Sequence, residues 1–240
     1  MTTPYQQLGL TSLGRVVDSL CQQANAQHWS YEDFLQQALD AELAGRAERA
    51  QARRLRAARL PQRKLLDSFD YTYQPTLDRQ RVEALARLEF VTTACNILLL
   101  GPPGTGKTHL ALALVGAALE AGYSARFVTL RQLAEDLDTV TWRQQLRRYI
   151  HPKVLVIDEV GYLRLTAQQA YQLFEIVTTR YEQAPTILTS NRSFAEWGSL
   201  LGDEVLATAL LDRLLHHAEV LTINGRSYRM KGRSEEPISS

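Results

Sequence analysis

Lys107 and Thr108 close a glycine-rich stretch, Gly101 to Thr108 (GPPGTGKT). It follows the apolar run Leu98, Leu99 and Leu100 and opens an apolar helix through His109, Leu110, Ala111, Leu112 and Leu114. Strand, glycine-rich turn and helix, with the spacing G-x-x-x-x-G-K-T, make a phosphate-binding loop. Gly101, Gly104 and Gly106 lack a Cβ, so successive backbone N–H groups can turn inward onto phosphate oxygens, and the positive end of the helix points the same way. Pro102, Pro103, Thr105 and His109 complete the expected nucleotide-binding stretch. Lys107 is placed to reach the outer phosphates, and the Thr108 hydroxyl to hold a bridging magnesium ion. The stretch predicts binding of a nucleoside triphosphate.

A second pattern supplies the carboxylates that metal-assisted phosphoryl transfer needs. Lys153 to Glu159 (KVLVIDE) reads as a buried strand, Val154 to Ile157, ending in Asp158 and Glu159. Asp158 is expected on the magnesium ion, and Glu159 to orient and deprotonate the attacking water. A third strand, Thr186 to Ser190, ends in Asn191, beyond the carboxyl ends of the strands where open α/β sheets bind ligands. Asn191 is therefore expected to hold the attacking water or sense the third phosphate. The aromatics Phe69, Tyr71 and Tyr73 either lie near the nucleotide base or serve as ordinary packing.

The elements that position these residues follow from hydrophobic spacing. At 240 residues and 45% hydrophobic, the chain can bury a substantial core. No apolar run approaches the ~18 residues of a membrane span, and the N-terminus lacks the pattern of a secretory signal. Cys21 and Cys95 have no metal-ligand spacing and read as reduced thiols, so a cytoplasmic location is expected. Leu8 to Gln27 predicts one amphipathic helix. Ser30 caps a second, with Tyr31, Phe34, Leu35, Ala38 and Leu39 as its buried stripe and a possible reach to Pro61. A linker follows to Tyr73, then a helix over Leu77 to Asn96 with Val82, Leu85, Leu88, Val91 and Ala94 inward.

The net charge of +1 conceals an asymmetry. Between Ala41 and Lys64 lie eight basic residues against only Glu42 and Glu48. Arg46, Arg49, Arg53 and Arg56 recur at steps of three and four, which makes one basic stripe: either a nucleic-acid contact or a solvated face. Candidate DNA contacts are Arg53, Arg54 and Arg56, with Arg131, Arg143, Arg147 and Arg148 farther on. After the phosphate-loop helix come a strand (Ala125 to Val128), helices over Leu130 to Leu137 and Trp142 to Tyr149, and a long helix over Ala167 to Tyr181. Leu206 to His217 is an amphipathic helix carrying Arg213. Val220 to Ile223 and Tyr228 to Lys231 read as a hairpin around Asn224 and Gly225. Adjacent histidines on a helix point in different directions, so His216 and His217 are not expected to share a metal. The tail from Gly232 is polar and expected to be disordered.

Taken in order, GPPGTGKT, VLVIDEVGYL, TILTSN and LLDRLLHH resemble AAA+ ATPases of the initiator and helicase-loader clade. YEDFLQQALDAE, PQRKLLDSFDY, SNRSFAEWGSLLGDEVLATALLDRLLHH and INGRSYRMK are similar to the IstB-type transposition helpers of insertion sequences, over nearly the whole chain. The resemblance implies an α/β AAA+ P-loop domain with a parallel sheet and no helical lid (residues 65–232), preceded by a small all-α domain (residues 1–64) and followed by a polar tail (233–240). It implies ATP and Mg2+ as cofactors, head-to-tail homo-oligomers bridged by ATP, duplex DNA and an IstA-type transposase as partners, and no membrane. Gly101 to Thr108 match the Walker A motif, Asp158 and Glu159 the Walker B pair, Asn191 the sensor-1 position, and Arg213 an arginine finger that completes a neighbour's ATP site. Arg229 is a candidate second phosphate sensor. Arg164 stands where the family usually has proline.

Three functions share this engine: a DNA-binding ATPase serving a transposase, a DnaC-like replicative helicase loader, and a small-molecule phosphotransferase. The N-terminal helix text favours the first, and no second substrate pocket or lid supports the third.

Overall fold

The structure, a computed structural model, describes residues 3–225 and 227–230. The chain packs as two compact units, Met1–Arg54 and Leu55–Ser240.

In the first unit, α1 (Pro4–Gln7) and α2 (Leu13–Gln27) are separate, not one helix from Leu8. Gly9 takes φ 70°, which ends the first helix. α3 (Tyr31–Ala58), whose last turn from Leu55 belongs to the second unit, starts at the expected cap, Ser30 and Asp33 bonding reciprocally at 3.1 Å, and stops at Arg59 (φ 51°), two residues before Pro61.

The buried stripe of α3 differs from the expectation. Tyr31, Leu35 and Leu39 are exposed, and the inward positions are Phe34, Ala38, Glu42 and Gly45. The cause is polar. The Glu42 carboxylate accepts the Ser12 and Leu13 N–H groups at 2.8 and 3.0 Å, capping the start of α2, and Gly45 leaves room for the Ser12 hydroxyl. That contact rotates the four-step apolar row outward. Arg46 and Arg49 also bond Glu42, at 2.9 and 3.0 Å, so half of the basic stripe is paired within its own unit. The Leu13 N–H, followed by the arginines and Ser12, holds the Glu42 carboxyl at about 2.

The second unit is built on five parallel strands in the order β2-β3-β4-β1-β5: β1 (Asn96–Leu100), β2 (Ala125–Thr129), β3 (Val154–Val160), β4 (Thr186–Ser190) and β5 (Ala218–Thr222). Helices cover both faces, so the central strands are apolar on both sides. Ile97 and Leu99 face a core with Leu110, Ala111 and Leu114 of α6 (Lys107–Glu120), while Leu98 faces the opposite core. That second core takes side chains from α7 (Leu130–Leu137), α9 (Ala167–Arg180), α10 (Trp197–Leu201) and α11 (Glu204–His216). A further helix, α8 (Trp142–Ile150), buries Tyr149 there. Each fully buried leucine stabilises the sheet by about 1.5–3 kcal/mol.

Two expectations are corrected here. The helix over Leu77 to Asn96 is two short ones, α4 (Arg79–Ala86) and α5 (Glu89–Thr92), because Leu88 takes φ 64°. This break re-aims the chain so that Phe90 and Val91 are buried along with Val82 and Leu85. The final hairpin is absent among the described residues. β5 pairs parallel with the open edge of β1, Leu98 opposite Val220, which buries Leu221 and Ile223. Asn224 instead bonds Thr76, and Tyr228–Met230 form a 3-10 turn. Among the described residues that turn is all that follows β5, so no helical lid is present; Lys231 and the tail lie outside them. Among them, too, no helix is long and apolar enough to cross a membrane.

Candidate functional site

Because the strands are parallel, the ends of β1, β3 and β4 share one edge, and the three sequence patterns converge there. They line a cavity of about 500 Å³ with Gly104, Thr105, Gly106, Lys107, Thr108, Glu159 and Asn191 in its wall. Gly106 takes φ 96° at the start of α6, and a Cβ there would sit 2.6 Å from the Phe69 ring. Only glycine lets the loop meet Phe69 so closely. Phe69 lines the cavity and packs edge-on against His109 at 5.4 Å; of the three aromatics considered, it is the one in the wall.

Lys107 is buried, its Nζ donating to the Gly101 and Pro102 carbonyls at 2.6 and 2.7 Å. Burial pushes its amine down to about 8; the charge of Arg229 acts in the same direction and Asp158 opposes it. Arg229 itself lines the cavity without a lid, because the chain after β5 folds back onto the loop: the Tyr228 N–H donates to the Gly104 carbonyl at 2.9 Å.

The Thr108 hydroxyl donates to the buried Asp158 carboxylate at 2.9 Å. Two adjacent hard oxygen donors at a phosphate loop fit a magnesium ion, which keeps most of its waters and takes few protein ligands. Between Ile157 and Val160 the register of β3 against β4 slips by one residue, a β-bulge. Glu159 takes φ 63° in it, a conformation that costs about 1–3 kcal/mol for a side-chain-bearing residue. The bulge keeps Asp158 buried while turning Glu159 out into the cavity. Thr189 of β4 holds this geometry, its hydroxyl donating to Asp158 at 2.5 Å and accepting the Glu159 N–H at 3.0 Å.

Asn191 lies beside Gly161, where a Cβ would come within 2.6 Å of its Oδ1. That Oδ1 is buried and has no partner among the described residues, an orphaned acceptor in the cavity wall. An unpaired buried acceptor costs about 1–3 kcal/mol, so it suits a site that receives a polar ligand or water.

Sequence reasoning missed Thr189 and Lys64, both of which line the cavity. Thr189 was visible as a hydroxyl in the middle of the fully buried strand β4, where a buried polar group needs a partner.

The remaining candidates lie elsewhere. Arg213 does not line the cavity; its guanidinium sits 4.8 Å over the Phe174 ring and donates to the Ala209 carbonyl at 2.9 Å. Arg131 on α7 and Arg143, Arg147 and Arg148 on α8 are exposed on two helices that pack together. Arg53 and Arg56 are exposed on α3, and Arg54 is half-buried.

The family model of the IstB-like ATP binding proteins matches residues 3–236. The chain is 46% identical over 228 residues to the insertion sequence IS21 ATP-binding protein of Pseudomonas aeruginosa, covering 93% of this chain and 86% of the relative. It is 43% identical over 217 residues to the IS5376 ATP-binding protein of Geobacillus stearothermophilus, covering 89% and 86%. Among solved structures, DnaI superposes with a TM-score of 0.57 at 23% identity over 69% of this chain and 90% of DnaI. AMPPCP-bound DnaA of Aquifex aeolicus gives 0.56 at 24% identity, over 72% of this chain and 53% of DnaA. The DnaC helicase loader gives 0.50 at 26%, over 60% and 86%.

Proposed function

The chain belongs to the IstB-like ATP binding protein family, and we propose that it is the ATPase switch of an insertion sequence. In this reading it assembles with ATP and magnesium on duplex target DNA, remodels that DNA, and recruits and activates a partner transposase of the IstA type.

The observation that carries the reading is the convergence, in one cavity, of Lys107, Thr108, Asp158, Glu159 and Asn191. Gly101 to Thr108 wrap the phosphates, and Lys107 leaves its two loop carbonyls for the outer phosphates. Thr108 and Asp158 hold the magnesium ion, which when bound offsets charge on the phosphates. Glu159 orients the attacking water and accepts its proton, and Asn191 fixes that water with its orphaned oxygen. Arg229 adds charge from the folded-back C-terminal turn. Arg213 packs on Phe174 and does not line its own cavity, which supports action on a neighbour's ATP in a head-to-tail assembly. The helical region of residues 1–64 and the arginines of α7 and α8 supply the DNA contacts.

The test is ATP turnover with duplex DNA, with single strands, and with neither. Stimulation by duplex supports the proposal. Stimulation by single strands alone moves the protein to helicase loading, the activity printed for its structural relative DnaC.

A further inference from the structure

The turn after α9 and the end of α11 bring together three side chains that the nucleotide site does not use. Adjacent histidines diverge on a regular helix, but His217 has left the helix, with φ −129° and ψ 88°. The His216 and His217 rings therefore approach to 4.3 Å. Both face Glu182, whose Oε1 lies 3.5 Å from His216 Nδ1 and 3.8 Å from His217 Nε2. The donor atoms of the three lie within 4.8 Å of one another.

We propose that Glu182, His216 and His217 form a surface site for a divalent transition-metal ion, zinc in the first instance, that ties the end of α11 to the turn after α9. Four donors at zinc distances in a tetrahedron stand about 3.4 Å apart. The two carboxylate–imidazole separations, 3.5 and 3.8 Å, are close to this, the two imidazole donors lie within 4.8 Å of each other, and all three side chains are exposed, so ring rotation can close the set. Two imidazoles and one carboxylate, with water in the open position, suit zinc and not magnesium, which takes oxygen donors.

The backbone supplies a second argument. Glu182 takes φ 57°, just past the end of α9, a position where glycine is usual. A glutamate held there at a cost in strain, with its carboxylate over two imidazoles, points to a ligand that repays the strain. The Tyr181 hydroxyl, 2.8 Å from His216 Nδ1, fixes that ring's rotation until the metal takes its place. The site lies just before the first residues of β4 and β5, at the end of the sheet opposite the phosphate loop. It is thus separate from the magnesium donors, and Arg213 sits one turn earlier on the same α11.

The experiment titrates zinc and cobalt(II) into the full chain, stripped with chelator and held in excess Mg2+. Calorimetry reads affinity and stoichiometry, and the visible band of bound cobalt reads coordination. One ion per chain is expected, with a cobalt band and a rise in melting temperature on adding zinc. His217→Ala and Glu182→Gln should each weaken binding at least about tenfold and abolish that rise. Both variants should melt like wild type in chelator, since they alter exposed side chains. Absence of saturable binding overturns the proposal. So does undiminished binding in His217→Ala and Glu182→Gln, which assigns the ion to the cysteines or to the nucleotide site.

Discussion

Thr189 bridges the two acids of the cavity, donating its hydroxyl to Asp158 at 2.5 Å and accepting the Glu159 N–H at 3.0 Å. It acts through Asp158 and Glu159 and is a positioning residue, holding the bulge that separates the jobs of its two neighbours. Thr189→Val removes both bonds at nearly constant volume. Turnover should fall by about 10–100-fold with ATP affinity little changed, and Thr189→Ser should restore most of it. Loss of binding without loss of kcat would reverse that assignment.

Lys107 gives nucleotide binding a pH signature. Its amine is at about 8 in the free protein, and phosphates alongside raise it, so binding takes up a proton above pH ~8 and none well below it. Affinity for ATP should hold steady from pH 6 to ~7.5 and fall above pH ~8. Calorimetry in buffers of different ionisation heat checks this. Proton uptake that stays flat across pH ~8 would remove Lys107 from the phosphates.

Glu42 governs acid sensitivity of the first helical unit. Its carboxyl is held at about 2, below its ordinary value of 4.5, so its stabilising contribution is complete above pH ~4.5 and is lost as pH falls toward 2. Glu42→Gln should lose part of the α2 helical signal in circular dichroism at neutral pH. It should also flatten the acid transition between pH 4.5 and 2.

Arg180 is buried and donates to the carbonyls of Tyr149, Ile150, Pro152, Lys153 and Pro185, with no carboxylate partner among the described residues. Burial lowers its guanidinium to about 10, yet it stays charged at neutral pH. Arg180→Met should destabilise the second unit by about 3–5 kcal/mol, because several buried carbonyls lose their donor together. Denaturant unfolding measures it.

DNA binding should weaken steeply with salt and depend little on sequence. Removing Arg131, Arg143, Arg147 or Arg148 singly should reduce the salt slope by about one wherever a phosphate contact is lost. Four unchanged slopes would take α7 and α8 out of the interface.

Much of this architecture was legible in the residues. The phosphate loop, both carboxylates and Asn191 end apolar strands, and parallel pairing alone brings strand ends together. Local patterns failed where a long-range contact decided the outcome. Leu35 and Leu39 repeat like a buried stripe but are exposed, because the Glu42 carboxylate caps a distant helix. Asn224 and Gly225 spell a hairpin, yet the unpaired edge of β1 captured the strand before them. Thr189 escaped notice because its partners are residues 158 and 159, on another strand.

The central claim, an ATPase completed only between subunits on DNA, is tested most directly by mixing two inactive variants. Lys107→Ala removes the charge that receives phosphate but keeps Arg213; Arg213→Ala keeps an intact cavity but offers nothing to its neighbour. ATP turnover on duplex DNA should be low for each alone and should recover in part across mixing ratios, highest near equal amounts. Turnover that stays at the level of the separate variants at every ratio, with Arg213→Ala still assembling normally, would contradict the account and leave Arg213 a surface residue packed on Phe174.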